Sequence, residues 1–290
     1  MPNLGQQLVA WTEESTAIQD AVDKALAATA WCRQVLPKGP DRNGEKAVVV
    51  PTIQAGPPIS YGADRLVTPV HVFADATLDD RHATPAEIQG LVETTAALLG
   101  GIEDQEVILG TVGAPAPPPV GAPPPVGAGR FARNGALTRD GLNAAGAAPI
   151  PIGAGGVNPN SGQLYAAITQ AVAALEGRGR PGRFGLLVHN TLMATLRQPR
   201  VPGGVRLIQE VEGLIGSNKI FGTSALDGTF AAAAVCGVLL RLEPAAADLV
   251  HTQLPTVTVL GRAAGSTNLR VEEEIAVRIL DAAAIQRIEY

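Results

Sequence analysis

The sequence predicts a mixed α+β fold, and three observations carry that prediction. One long helix has a complete set of start signals. Several β-like runs occur without regular strand–helix alternation. One segment alternates apolar residues between prolines, as a long hairpin does.

A chain of 290 residues that is 46% apolar can bury a substantial core, in one large domain or two small ones. The net charge of -5 gives no overall pull toward nucleic acid or an anionic membrane surface. Cys32 and Cys236 stand alone in apolar settings, so spacing offers neither a disulfide framework nor a zinc site, and a reduced cytoplasmic setting is expected. Glu13, Glu14 and Asp20 lie where a secretory signal needs a basic start and an apolar run. The longest low-charge segments are broken by Gly and Pro before they reach a membrane span. The expectation is a soluble intracellular protein.

Taken in order, the first element is an amphipathic helix from Ala17 to Leu36, with Ile18, Val22, Leu26 and Ala30 on one face and Pro37 ending it. Gly39 to Ala83 follows, combining Pro51, Pro57, Pro58 and Pro69 with alternating Val and Ile, over β-like runs at 47–53 and 66–76. Such an arm buries little against its own subunit, so its apolar residues need a partner chain. Val49, Ile53, Ile59, Tyr61, Leu66, Val70 and Val72 are the side chains expected to make that contact.

Thr84-Pro85-Ala86-Glu87 then supplies a capping hydroxyl, a proline at the first helical position and a carboxylate three residues on. Ile88, Leu91, Val92, Thr95, Leu98 and Leu99 line one face of this helix, and Gly100-Gly101 is expected to stop it. The repeated Ala-Pro-Pro-Pro-Val-Gly pattern of 114–129 favours extended polyproline and predicts an exposed insertion. A further helix starts near Asn160-Ser161, carries Leu164, Ile168, Val172 and Leu175, and ends at Gly177; a short one follows Asn190. The remaining β-like runs are 185–188, 230–242, 256–260 and 275–280.

No catalytic, cofactor or metal site emerges. His71, His82, His189 and His251 never fall in metal-binding spacing with each other or with cysteine. Asp79 to His82 reads as a charged turn between a strand and a capped helix. Gly153 to Gly156 lacks the lysine and Ser/Thr of a phosphate loop and reads as a flexible connection. Neighbours in Glu272-Glu273-Glu274 point to opposite faces of a strand, which predicts a solvated or interface-paired edge. Trp11 and Trp31 read as packing anchors.

Four stretches carry a resemblance. They are Asn3-Leu4 before the first helix; Glu103-Asp104-Gln105-Glu106-Val107-Ile108-Leu109-Gly110; Pro181 to Val188 with a short helix and then Arg200-Val201-Pro202-Gly203-Gly204; and Val271 to Leu280 with Ala283-Ala284-Ile285. In this order and spacing the chain resembles the encapsulin family, whose subunits have the tailed-phage capsid fold. The resemblance implies an N-terminal helix region over 1–44, an extended arm over 45–83, a peripheral domain with a spine helix over 84–150, an axial domain over 151–255, and C-terminal strands at 256–290 returning to the peripheral domain.

It also implies a structural role. Many copies of the chain would close into an icosahedral shell around a cargo enzyme, filtering small molecules through pores. Arg197, Arg200, Val201, Pro202, Gly203 and Gly204 would line an axial opening that favours small anions; the alternative is that the arginines are simply solvated at a helix end. Ile18, Val22 and Leu26 would line a groove for a short cargo targeting peptide; the alternative is that they pack in their own core. A phage or prophage capsid protein packaging DNA, found in the virion, and an enzyme with an unrecognised site are the other two readings.

Overall fold

The computed structural model describes residues 15–45, 47–50, 53–54, 60–61, 65–67, 69–79, 84–110, 127–132, 141–142, 144–153, 158–200, 203–226, 234–263 and 265–290. Asn3, Leu4, Trp11, Ile59, Asp80 to His82, most of the proline-rich run, Ala154 to Gly156, Val201 and Pro202 lie outside the described residues.

The first helix is α1, Thr16–Thr29, followed at once by a single turn, α2, Cys32–Val35. The expected continuous helix to Leu36 is therefore broken, and the cause is tertiary. The Asp104 carboxylate accepts hydrogen bonds from the backbone N–H groups of Trp31 (3.3 Å) and Cys32 (3.1 Å), so the chain restarts a helix on an anion supplied from elsewhere.

The hairpin arm is β1 (Val48–Val50) against β4 (Arg65–Val67), with β2 (Ile53–Gln54) against β3 (Ser60–Tyr61) nested inside it; both pairs are antiparallel. After Pro69, β5 (Val70–Asp79) leads to the spine helix α3, Pro85–Leu109. Its capping box forms as the sequence predicts: Glu87 N–H donates to Thr84 Oγ1 (3.3 Å) and Thr84 N–H to Glu87 Oε2 (3.2 Å). The helix does not stop at Gly100-Gly101. It runs on to Gly110, whose φ of 72° ends it. Gly100 serves close packing instead, since a Cβ there would sit 2.7 Å from Thr29 Oγ1 and 3.1 Å from the Ala30 nitrogen.

β6 (Ala128–Ala132) and β7 (Ile150–Pro151) precede α4, Ser161–Gly177, whose Asn160 and Gln163 form a reciprocal cap. Then come β8 (Phe184–His189), α5 (Asn190–Leu196), α6 (Leu207–Ile215), β9 (Ile220–Thr223) and β10 (Val235–Arg241). The chain closes with β11 (Ala247–Ala263), β12 (Ser266–Ile279), a 3₁₀ turn at Ala282–Ala284, and β13 (Ile285–Glu289).

Two sheets organise these elements. An antiparallel sheet in the order β11–β12–β5–β6 packs against α3 and α1, burying Val72, Val271 and Ile275 with Ile88, Val92 and Leu99. A mixed sheet in the order β7–β13–β10–β8–β9 packs against α4, α5 and α6 around Ile168, Leu186, Leu192 and Val211. This revises the expected boundaries. The crossing back to the first sheet comes at Ala247 rather than 256, and β13 returns to the second sheet, pairing with β10 and β7.

Strand β12 is central, not an edge, and its glutamates are not solvated. Glu273 and Glu274 are buried, and Glu272 half-buried. Alternation does hold. Leu269, Val271, Glu273, Ile275 and Val277 face α3, while Arg270, Glu272, Glu274 and Arg278 face the other way, toward charges on β5 and β11. Arg270 binds Asp75 through both nitrogens (2.7 and 2.8 Å) and stacks over Phe73 at 4.3 Å. Arg278 pairs with Asp248.

Candidate interaction surfaces

The arm exposes a specific apolar pair. Val48, Val50 and Val67 turn inward onto Val250 and Ala276, which anchors the base of the hairpin to its own subunit. Alternation then forces Val49 and Leu66, directly opposed across β1 and β4, to point outward; they are 41% and 54% exposed. Ile53 and Tyr61 pair across β2 and β3 further along the hairpin. Val70 and Val72 belong elsewhere: Pro69 separates them from the arm, and both are buried under α3 in the first core, so they leave the set of arm contacts.

In the loop after α5, Pro199 bridges Arg206, and Leu207 N–H donates to the Gln198 carbonyl (2.9 Å), closing the base of the loop; Gly203 has φ 75°. Arg197, Gly203 and Gly204 are exposed. Arg200 is held in place: its guanidinium lies 4.7 Å above the Tyr165 ring and 3.5 Å from Glu210. Both arginines expected at the opening are exposed, Arg200 tethered by these contacts, and Arg206, which bridges Pro199, is exposed as well.

Ile18, Val22 and Leu26 do not line an open groove. They are essentially fully buried in the first core. The physical reason is that the apolar face of α1 is the face α3 needs. The outward face of α1 instead borders a cleft of about 490 Å³, where Gln19 and Asp23 meet Arg33, Lys38, Leu254 and Pro255. Leu254 is 44% exposed, and Gln19 Nε2 donates to the Pro255 carbonyl (3.1 Å). Sequence reasoning missed Leu254 and Pro255 because a proline within an apolar run reads as a strand end. Register shifts on both sides of Gln253 accommodate it here.

Beneath that cleft lies a second feature that sequence reasoning missed. Arg33 Nε contacts Glu103 Oε2 (2.9 Å) and Oε1 (3.1 Å), while its Nη2 reaches Glu273 Oε2 (2.6 Å). Both glutamates are completely buried. Cys32 Sγ donates to Glu103 Oε1 (3.1 Å), and burial followed by the neighbouring carboxylates pushes its thiol well up, leaving it protonated. Burial also raises Asp104, to about 7, against the N–H bonds from Cys32 and Trp31 that favour its charge. Adjacent carboxylates near the end of an apolar helix were the available signal.

The three described histidines, His71, His189 and His251, lie within the fold. His71 sits 3.1 Å from Glu272; burial opposes its charge, but Glu272 and Glu274 outweigh burial and raise its pKa. His189 caps α5 by accepting from Thr191 N–H (3.2 Å). His251 is pushed down to about 4, first by burial and then by Arg33. Among the described residues, no group of three or more His, Cys, Asp or Glu is placed to hold a metal ion, and no helix is long and apolar enough to cross a membrane.

No family model and no curated protein matches the chain. Solved structures do. A virus-like particle from Pyrococcus furiosus is similar at 15% identity and a TM-score of 0.67, covering 95% of this chain and 99% of its own. A structure of Mycobacterium phage Bobi is similar at 14% identity and a TM-score of 0.61, covering 90% of each chain. The holo-SrpI encapsulin complex from Synechococcus elongatus PCC 7942 is similar at 11% and 0.52, covering 90% of this chain and 86% of its own. The arm, the spine helix and the two sheets are therefore those of the fold shared by tailed-phage capsids and encapsulins.

Proposed function

We propose that the chain is the subunit of a self-assembling, closed shell of encapsulin type, with a structural rather than an enzymatic role. The observation that carries this reading is the outward-facing Val49–Leu66 pair on an arm whose inner face is already used by its own subunit. An exposed apolar pair on a projecting hairpin is satisfied when a second copy covers it, and closed symmetry lets every copy do so. Likeness to shell proteins over nearly the full length of both chains supports the same reading.

Cargo docks, in this proposal, in the cleft beside α1, where Leu254 and Pro255 offer an apolar floor and Asp23, Arg33 and Lys38 a polar rim for a short extended segment. The exposed loop with Arg197 and Arg206 faces the small molecules that cross the shell, favouring anions. The shell stands in the cytoplasm.

The test is direct. Purified full-length protein is examined by sedimentation velocity and negative-stain microscopy, and the particles are analysed for protein and nucleic acid. Closed particles with a second protein inside are expected. A monomer or dimer at every concentration rejects the shell, and particles filled with DNA reassign the chain to a phage capsid, whose fold it equally shares.

A further inference from the structure

The Arg33 cluster is out of charge balance. One guanidinium on α2 faces two completely buried carboxylates, Glu103 from α3 and Glu273 from β12. Every other titratable neighbour fails to correct this. Cys32 is buried and protonated. Asp104, the next residue on α3, adds a further acid. Glu106, one turn on, is also buried and is engaged. His251 on β11 is neutral, and Lys38 is exposed and paired with Asp41 at 3.1 Å.

A second observation locates the fault. Glu273 Oε1 is buried and has no hydrogen-bond partner, and the same holds for both ring nitrogens of His251, whose Nε2 lies 3.5 Å from Glu273 Oε2. A buried ionised oxygen without a donor is costlier still than a neutral one in the same place. Glu103 also stands near enough to Glu273 for its charge to repel that of Glu273. A proton on Glu273 answers both: it offsets the excess negative charge around Arg33 and removes the cost of an ionised oxygen that no donor reaches.

We propose that Glu273 retains a proton at neutral pH, and that this proton is a latch fastening the α1–α2 segment to α3 and β12. Burial, then repulsion from Glu103, favours that proton beyond what Arg33 opposes. When it leaves, one uncompensated charge remains in the core, and α2, tied there through Arg33 and Cys32, loosens. Because α1 and Arg33 also border the cleft, its shape follows the same proton. The latch belongs to the subunit and stands whether or not the shell assignment does.

The sign follows from linkage. The folded state holds a proton that the unfolded chain releases near its ordinary value of 4.5, so stability falls as pH rises from there to the elevated folded pKa. The experiment compares the full-length chain carrying Glu273 with Glu273→Gln, an always-neutral near-isostere, by thermal melting from about pH 5 to about pH 9 and by amide exchange of residues 16–35. Both chains carry Asp104→Asn, so that the other raised carboxyl does not titrate in the same range; the Glu273 chain is expected to lose about 5 °C or more, with faster exchange in 31–35 at the alkaline end, and the Glu273→Gln chain less than half as much. Parallel curves overturn the latch. If Glu273→Gln yields no soluble protein, infrared spectra of Asp104→Asn, which removes the other raised carboxyl, decide: a protonated-carboxyl band at neutral pH that disappears on alkalinisation supports the latch, and its absence overturns it.

Discussion

Replacing Val49 and Leu66 together by aspartate isolates assembly from folding. Both side chains point away from the subunit, so the variant should keep the far-ultraviolet spectrum and melting temperature of the unassembled wild type. Full burial of a Val or Leu is worth about 1.5–3 kcal/mol, and these two are already about half covered, so their loss removes roughly 1.5–3 kcal/mol from each arm contact. That alone weakens each contact by roughly 10- to 150-fold. Two carboxylates entering a dry interface add a further penalty of several kcal/mol each, about enough to prevent closure at any practical concentration. Sedimentation velocity reads the outcome, with microscopy as a check: free subunits in place of particles. Closed particles of ordinary size from the double variant would refute the claim that this pair is covered by another copy.

Three further outcomes test the structural account. Gly100→Ala should destabilise by about 1–3 kcal/mol because its Cβ meets Thr29 and Ala30, whereas Gly101→Ala, with open space around it, should stabilise by about 0.5–1 kcal/mol; denaturant unfolding distinguishes them. Asp104, raised to about 7, holds a proton in the folded state that the unfolded chain has lost, so stability should fall from about pH 4 to pH 7; Asp104→Asn should remove up to about 4 kcal/mol of that fall, read from melts across the range. Leu254→Asp should leave particles intact but free of co-purifying protein, while Asp at Ile18, Val22 or Leu26 should prevent folding, as soluble yield will show.

What could be read from the sequence was local. The Thr84 and Asn160 caps, the stripe of α4, the stripe of α3 except for Leu98, which is exposed, and the hairpin each follow from near neighbours and are present. What escaped depends on residues far apart in the chain. Gly100-Gly101 carries an ordinary stop signal, and only the arrival of Thr29 and Ala30 makes it a contact inside a helix. The acidic β12 resembles an edge until Arg33, Arg270 and Arg278 are seen to pair with it or with the strands beside it. Periodicity found the apolar face of α1 correctly, but an apolar face is what a core consumes. The surface left for a partner was the polar one, which carries no periodic signature.

The path of the chain through the two sheets has a consequence for synthesis. Neither sheet is a continuous stretch: the first needs β5 and β6 together with β11 and β12, and the second is closed by β13 between β7 and β10. A nascent subunit therefore cannot complete either half until residues 247–289 have left the ribosome. Truncation anywhere before β11 should therefore leave neither half able to fold alone.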